Sequence, residues 1–361
     1  MRRITRREFL KALMQTAGAA GLMQLLYACG VRPTASPAAP GVTPSNTPFG
    51  PGGPNLSQFG SAAGSSVPTF TPSPTAVPPT VTSTAAVEPA YLAVARGGDD
   101  PEILVRRAVE AIGGMQRFVS PGANVIIKPN ICTAFRAYKF AATTNPWVVG
   151  GLVKMCFEAG AGRVRVYDFP FNGGCVDAYK NSGIEEQVLA AGGEMEIVSF
   201  DKFIPVQPQG NAAFQSNKVY RDILEADTLI DVPVAKHHGG AGLTLAMKNL
   251  MGAVENRSAV HTSLQRHIAE LAAFIRPKLT VIDGIRILLA GGPLGGSLAD
   301  VRRMDTVIAS ADIVAADACA VTRLFGWSAP NNLGYVRIGS EIGLGRSDLE
   351  NLKIEEIAVE A

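Results

Sequence analysis

All four histidines of this 361-residue chain fall within one short segment, residues 237–267. They are His237, His238, His261 and His267. Imidazole titrates near neutrality, so these side chains are candidates for general acid–base chemistry or for binding a metal. His261 and His267 are six residues apart, a spacing that does not place both on one helical face. We therefore interpret His267 as structural and take the other three as candidate catalytic residues.

Cations and polar side chains near the histidines suit a small anionic ligand. Lys236 and Lys248 flank the glycine-rich run of residues 239–242, which precedes a predicted helix over residues 243–254. Free backbone amides at a helix start can bind an anion. The run matches neither a Walker loop nor a dinucleotide fingerprint, and a simple tight turn is the alternative. The ligand-binding candidates are Lys128, Asn130, Lys236, Thr244, Lys248, Asn249 and Arg257.

A divalent metal is a further hypothesis, with ligands drawn from the histidines and a carboxylate. The candidates are His237, His238, His261 and Asp283. None of the standard zinc spacings is present. We expect Asp283 to orient one of the histidines if no metal is bound.

Cysteine usage excludes one class of cofactor. Cys132, Cys156, Cys175 and Cys319 are widely spaced and form no Cys-x-x-Cys run, so the chain lacks an iron–sulfur motif. Cys132 and Cys175 both follow predicted strands and are the best candidates for a disulfide. Cys156 and Cys319 are expected to be buried helix residues.

Alternating apolar runs and helical patterns from residue 90 onward predict an α/β domain. They indicate a mostly parallel sheet with helices on both faces. Strands are predicted at residues 123–127, 163–167, 194–200, 228–232, 279–282, 306–308 and 354–359. Helices are predicted at residues 148–159, 183–191, 243–254, 263–275, 313–325 and 332–342. Thr144 or Asn145 is expected to cap the first of them, with Pro146 in its first turn. Ligands of such sheets bind beyond the carboxyl ends of strands, where Lys128, Lys236 and Asp283 are expected.

The first 29 residues have the pattern of an export signal. Arg6-Arg7-Glu8-Phe9-Leu10-Lys11 resembles the twin-arginine motif and precedes a weakly apolar stretch. An ordinary basic signal and an uncleaved anchor are the alternatives. Leu26-Tyr27-Ala28-Cys29 resembles a lipobox, in which Cys29 would be lipidated and would anchor the chain to a membrane. Tyr27 departs from the usual small residue, so cleavage and release stay open.

Residues 30–89 are predicted to be a disordered tether, which leaves residues 90–361 as a single globular domain. Thirteen of the 24 prolines lie in this segment, and Arg32 and Glu88 are its only charged residues. Such a composition buries too little apolar surface to offset chain entropy.

Charge argues against a nucleic-acid partner. The whole chain has a net charge of +2, but residues 1–28 hold five cations and one acid, so the remainder is slightly acidic. The basicity belongs to the export signal.

Three sequence blocks resemble a known family. Lys128-Pro129-Asn130, Asp231 to His238 and Thr244 to Gly252 are similar to those of the domain-of-unknown-function family DUF362. Shorter matches extend the resemblance over roughly residues 92–360 (Arg257, His261, Ile282-Asp283-Gly284 and the segment 311–317). The resemblance implies a fold and a site but no reaction. Some family members carry added ferredoxin cysteines, which this chain lacks.

The leading hypothesis is an exported, membrane-tethered enzyme that acts on a small anionic substrate, with lysines binding the anion and histidines moving protons. Its partners would be the twin-arginine translocase during export and the membrane afterwards. We expect it at the outer face of the cytoplasmic membrane or in the cell envelope. The alternatives are a non-catalytic solute-binding lipoprotein and an accessory factor of a redox complex.

Overall fold

The computed structural model describes residues 89–206 and 217–360. The predicted export signal, Cys29 and all of the predicted tether except Pro89 lie outside the described residues. Within the described part, no helix is both long enough and apolar enough to span a bilayer.

Ten strands of the described residues form one sheet, and two more form a small antiparallel pair. The strands are β1 (Leu92–Gly97), β2 (Asn124–Pro129), β3 (Arg163–Val166), β4 (Glu194–Met195), β5 (Phe203–Pro205), β6 (Lys218–Tyr220), β7 (Thr228–Val232), β8 (Val234–His238), β9 (Gly242–Thr244), β10 (Leu279–Leu288), β11 (Val301–Ser310) and β12 (Ile354–Val359).

The main sheet is mostly parallel. Its order is β12-β1-β11-β10-β7-β2-β3-β4, with β8 paired to β10 and β9 paired to β8. Only β11 and β9 run antiparallel to their neighbours among these strands. The carboxyl ends of β2, β3 and β7 therefore meet at one edge.

Helices cover both faces of this sheet. They are α1 (Pro101–Ala111), α2 (Pro146–Glu158), α3 (Cys175–Ser182), α4 (Ile184–Ala190), α5 (Arg221–Glu225), α6 (Ala246–Asn249), α7 (Arg257–His261), α8 (Leu264–Ile275), α9 (Ile313–Arg323) and α10 (Gly334–Glu341). Side chains alternate along β2: Ile126 packs in the core with α8 and α9, whereas Val125 and Ile127 pack in the core with α1 and α2.

The predicted fold class is confirmed, and so are most element positions. Helix α2 begins as expected, because Asn145 accepts a hydrogen bond from the Trp147 amide and Pro146 occupies the first turn. The predicted strand over 194–200 is only the two residues of β4. The long antiparallel pair β10–β11 extends well beyond the two short strands predicted there.

The predicted helix over residues 243–254 is wrong in its first turn. Gly242–Thr244 forms β9 instead, and the α-helix is the short α6, followed by a 3-10 turn. The buried carboxylate of Asp317 accepts hydrogen bonds from the amides of Ala246 (2.7 Å) and Met247 (3.0 Å), which fixes the helix start there. Burial raises the pKa of Asp317 to about 7.

Candidate functional site

A cavity opens at the carboxyl edge of the sheet and brings together most of the predicted site. Its interior volume is about 90 Å³. This is well below the volume of a drug-sized ligand site, so the cavity suits only a small molecule. Its lining residues are Asn130, Cys132, Asp168, Phe169, Phe171, Lys236, His238, Thr244, Lys248, Asn249, Met251, Gly252, Arg257, His261 and Pro293.

Strand β8 decides which of the adjacent histidines faces the cavity. Side chains alternate along a strand, so Lys236 and His238 share the cavity face and His237 lies on the other. Nδ1 of His237 instead accepts a hydrogen bond from the Gly292 amide at 3.3 Å. His237 therefore does not line the cavity with the other predicted residues, since a strand rather than a loop carries it.

The glycine-rich run is the turn of a β-hairpin, not the start of a helix. Strand β9 returns antiparallel to β8 and pairs Thr244 with Lys236. Amides of Gly240 and Ala241 both donate to Nδ1 of His238 at 3.1 Å. These amides are therefore engaged by a side chain, and the turn alternative describes this segment better than an anion-binding loop.

The same hydrogen bonds fix the tautomer of His238. Because Nδ1 accepts two of them, the proton of the neutral ring lies on Nε2. Burial, followed by the charges of Lys248 and Lys236, lowers the pKa of His238 to about 3. His238 is thus a neutral N–H donor, unsuited to acting as a base or a metal ligand through Nε2.

His261 presents the opposite tautomer. Its Nδ1 lies 2.8 Å from the carbonyl oxygen of Arg257, which can only accept, so Nδ1 carries a proton. Nε2 of the neutral, exposed ring can then accept a proton or a hydrogen bond at the cavity. His267 is buried and contacts the Val260 carbonyl, as expected for a structural residue.

Asp168, which sequence reasoning did not single out, lies at the centre of the site. Its carboxylate forms a buried ion pair with Lys128 (2.7 Å) and accepts a hydrogen bond from the Ile131 amide (2.6 Å). Its position just after β3 was the available signal. Gly252 makes room for this pair, because a Cβ at that position would come within 2.7 Å of the Lys128 ammonium.

Two asparagines hold the cations in place and have few groups left for a ligand. Nδ2 of Asn249 donates to Asp231 (2.8 Å) and to the Lys128 carbonyl (3.1 Å). Its Oδ1 accepts from Nδ2 of Asn130 at 2.9 Å. Oδ1 of Asn130 in turn accepts from Lys236 at 2.8 Å. Their role is to position the lysines.

Asp231 adds little negative charge to this network. It is fully buried, and one of its carboxylate oxygens has no hydrogen-bond partner among the described residues. Burial raises the pKa of Asp231 well above its usual range, even though Lys128 and Asn249 act in the other direction. Burial therefore favours the protonated, neutral form.

Three cations at the cavity have no ion-pair partner among the described residues: Lys236, Lys248 and Arg257. Lys236 donates to Asn130 and to the Ala142 carbonyl (2.7 Å). Arg257 donates to the carbonyls of Phe169 and Pro170 and stacks on the Phe169 ring at 4.3 Å. We call these three residues, together with Lys128 and Asp168, the pocket cluster.

Lys248 is the least satisfied member of the pocket cluster. Only 9% of the residue is exposed, and within residues 89–206 and 217–360 its ammonium has one hydrogen-bond contact, the Met251 sulfur at 3.5 Å. Burial lowers the pKa of Lys248 to about 7, and the charges of Lys236, Arg257 and Lys128 act in the same direction. Both protonation states are therefore available near neutrality.

Asp283 does not orient a histidine. It lies buried away from the cavity and accepts hydrogen bonds from the amides of Asn145 (2.7 Å) and Ile285 (3.0 Å), one on each carboxylate oxygen. Burial raises the pKa of Asp283 to about 6. The residue lies within β10 rather than beyond the end of a strand, because β10 continues to Leu288.

No three His, Cys, Asp or Glu side chains of residues 89–206 and 217–360 are grouped so that they could hold a metal ion. His237 and Asp283 lie outside the cavity, and Nε2 of His238 carries a proton. The divalent metal stays a prediction.

The predicted Cys132–Cys175 disulfide is absent, and the four described cysteines are free thiols. Both residues do follow strands, but Cys132 faces the cavity whereas Cys175 begins α3. Cys156 and Cys319 are buried helix residues, as expected.

Comparison with known proteins gives one family and several partial relatives. The family model described as "Domain of unknown function (DUF362)" matches residues 125–322. A thylakoid-associated protein of Synechocystis sp. is 28% identical over 222 residues, which is 59% of this chain and 66% of that protein.

Solved structures with a similar arrangement are more distant. The lactate racemase apoprotein from Thermoanaerobacterium thermosaccharolyticum gives a TM-score of 0.42 at 12% identity, with 60% of this chain and 53% of that one covered. A protein from Thermotoga maritima gives a TM-score of 0.32 at 11% identity, with 68% of this chain and 60% of that one covered. This chain thus spans less than two thirds of each of these relatives.

Proposed function

This chain belongs to the DUF362 family, whose description assigns no reaction, and we propose from its site that it is an enzyme acting on a small anionic molecule. The observation that carries the proposal is the Lys248 ammonium, which is nine-tenths buried at the cavity and has no carboxylate partner among the described residues. An unpaired buried cation is costly, and a bound anion would compensate it.

The neighbouring charges support the same conclusion. Lys236 donates to the oxygens of Asn130 and Ala142 and hydrogen-bonds Cys132, Arg257 donates to backbone carbonyls, and Asp168 is already paired with Lys128. The nearby Asp231 is held toward its neutral form. A carboxylate or phosphate would therefore enter a pocket with excess positive charge, which also attracts it electrostatically.

Proton transfer is the chemistry that the site supports best. Lys248 titrates near neutrality, which suits a group that alternates between acid and base. Nε2 of His261 is a second acceptor, and Nε2–H of His238 is a fixed donor toward a substrate oxygen. Lys248 therefore takes the acid–base role that the sequence suggests for the histidines, with His261 retained beside it.

Export and anchoring are part of the proposal. The twin-arginine-like start and Cys29 support delivery by the twin-arginine translocase and attachment to the membrane by lipidation. A divalent metal is tested separately by metal analysis of protein purified from its own host.

Calorimetric titration of the full-length chain tests anion binding, with malonate, oxalate and inorganic phosphate as probes. We expect the wild type to bind at least one of them and Lys248→Met to lose tenfold or more in affinity. Lys248→Arg keeps the charge and should retain part of the binding. Lys154→Met, which removes an exposed cation on α2, is the matched control.

The pH dependence gives a second measurement. Lys248 is charged below pH 7 and faces Lys236, Arg257, Lys128, Cys132 and His238. Anion affinity should therefore weaken as the pH rises from 6 to 8, and this transition should vanish in Lys248→Met. Equal affinity in wild type and Lys248→Met would overturn the proposal. Binding without turnover of any small acid would favour the solute-binding alternative.

A further inference from the structure

Cys132 is a cavity residue to which the proposed function gives no role. It follows β2 by three positions and is 7% exposed. Its carbonyl oxygen accepts hydrogen bonds from the amides of Phe171 (3.0 Å) and Asn172 (3.1 Å). The preceding amide, of Ile131, donates to Asp168. The backbone on both sides of the thiol is thus fixed to the segment that follows β3.

The thiol lies among the cations of the pocket cluster. Burial lowers the pKa of Lys236, and a hydrogen bond with Cys132 opposes this effect. Burial likewise lowers the pKa values of Lys248 and Arg257, and the electrostatic interaction of each with Cys132 acts in the opposite direction. Cationic neighbours stabilise a thiolate, which is the nucleophilic form of cysteine.

The other described cysteines lie in different surroundings. Cys156 and Cys319 are enclosed within helices, where burial raises the pKa of each thiol to about 12. For Cys175, burial and the nearby charge of Asp168 both raise the pKa. These three thiols have the surroundings of structural residues, so they serve as references for Cys132 within the same chain.

A second feature independently points to a ligand oxygen at this place. Thr244 lines the same cavity and is 3% exposed, yet its hydroxyl has no hydrogen-bond partner in the part of the chain that the structure describes. A buried hydroxyl without a partner is unfavourable unless a ligand completes its hydrogen bonding. Its position opposite Lys236 in the hairpin places it on the side of the cavity where the cations lie.

We propose that Cys132 is a nucleophile that adds reversibly to the carbonyl carbon of a small carboxylate bound in this pocket. The inference rests on the proposed function, because Lys236 and Arg257 would hold the carboxylate. It narrows the substrate class to small acids that carry an aldehyde or ketone carbonyl.

The addition needs no oxidant or reductant. Neutral Lys248 takes the proton of the thiol, and the sulfur forms a bond to the carbonyl carbon. The carbon–oxygen π bond breaks, and its electron pair moves to oxygen, which receives hydrogen bonds from His238 and Thr244. Lys248 then returns the proton to that oxygen. The product is a hemithioacetal, or a hemithioketal from a ketone, and reversal releases the substrate unchanged.

Glyoxylate and glycolate test the covalent step, since both are small carboxylates and only glyoxylate carries a carbonyl. In calorimetry on the full-length chain, we expect the wild type to bind glyoxylate at least tenfold more tightly than glycolate. Cys132→Ser should remove this preference, because a hydroxyl is a much weaker nucleophile than a thiolate. Cys175→Ser, outside the cavity, is the matched control and should keep the preference.

Alkylation of the wild-type chain gives a measurement that requires no variant. Iodoacetate is an anion and iodoacetamide is its neutral counterpart. By peptide mass spectrometry, the ratio of iodoacetate to iodoacetamide modification should be at least tenfold higher at Cys132 than at Cys175. Glyoxylate should protect Cys132 more strongly than glycolate does.

The outcomes separate the two proposals. If malonate, oxalate or phosphate binds in a Lys248-dependent manner but glyoxylate shows no advantage over glycolate, the nucleophile is wrong and the anion site stands. The same holds if Cys132 and Cys175 show equal alkylation ratios. If none of these anions nor glycolate binds, the proposed function itself fails.

Discussion

Two groups of charged residues differ in whether carboxylates balance their cations. The pocket cluster includes Lys128 of β2, and the balanced cluster joins Arg165 of the neighbouring strand β3 and Lys202 with Glu196 and Asp222. Arg165 contacts both acids, and Lys202 does the same at 2.6 and 2.9 Å. The pocket cluster instead has four cations and one paired carboxylate.

The difference separates a structural network from a site. In the balanced cluster every charged group has opposite charges within ion-pair distance, so no ligand is needed to complete it. In the pocket cluster, Lys248 has no carboxylate partner among the described residues. Its lowered pKa reflects how far burial destabilises the charged form. Buried charge that the protein leaves unpaired is therefore the better guide to function than buried charge as such.

Removal of Arg165 should break the balanced cluster and give the largest effect on stability. Arg165→Met leaves Glu196 and Asp222 buried beside one remaining cation, and we expect a loss of about 3–5 kcal/mol in the free energy of unfolding. Urea denaturation measures it. Arg163→Met is the matched control on the same strand. Its pair with Glu194 is about half exposed and should contribute less than about 1 kcal/mol.

A loss below about 1 kcal/mol in Arg165→Met would show that the balanced cluster does not depend on its central arginine. Anion affinity of the folded variant should stay at the wild-type level, because none of the four residues lines the cavity.

Gly252→Ala should disturb the pocket cluster from the backbone side. The added methyl group would displace the Lys128–Asp168 pair, and we expect a loss of about 1–3 kcal/mol in unfolding free energy together with weaker malonate binding. Urea denaturation and calorimetry measure the two effects. Gly239→Ala is the control, since nothing lies within 4 Å of the place that its methyl group would take. Unchanged binding in Gly252→Ala would mean that the ion pair does not shape the pocket.

Lys248→Met should give the smallest change in the free energy of unfolding, and it should stabilise the protein where the two preceding variants destabilise it. The folded-state pKa of Lys248 is about 7, below its ordinary 10.5, so the folded chain binds fewer protons than the unfolded chain between these values. The penalty is full below pH 7 and disappears as the pH rises toward 10. We expect Lys248→Met to be about 1 kcal/mol more stable than wild type at pH 6, with the gain shrinking by pH 9.

Urea denaturation of the two proteins at both pH values measures this gain. Other titrating groups contribute equally to wild type and variant, so their contribution cancels when the two unfolding free energies are subtracted at each pH. A variant less stable than wild type at pH 6 would contradict the view that Lys248 is an unsatisfied cation.

The sequence was informative where local rules decide the structure. Asn145 and Pro146 indicated the start of α2, and apolar runs indicated β2, β3 and β7. The sequence also predicted that Lys128, Lys236 and Lys248 lie near one another, and the cavity at the edge of the sheet brings Lys236 and Lys248 together with residues that contact Lys128.

What the sequence could not supply was pairing between distant segments. Residues 243 and 244 are predicted to begin a helix, but they pair with β8 as part of a strand, and Asp317 fixes the helix start further along at Ala246. Asp168 and Cys132 lie close to the lysines because β2 and β3 are neighbours in the sheet, and this strand order is not evident from the sequence. Asp283 had a suitable side chain, yet a helix start 138 residues away in sequence engages its carboxylate.

Strand β8 also constrains how this chain can change over evolutionary time. A one-residue insertion or deletion within it would exchange the two faces, bringing His237 to the cavity and sending Lys236 and His238 away. A substitution changes one side chain of the cavity face at a time. A change in the length of β8 would instead replace all the side chains on that face at once. Relatives that keep this chemistry should therefore vary in the hairpin turn and not in the length of the strand before it.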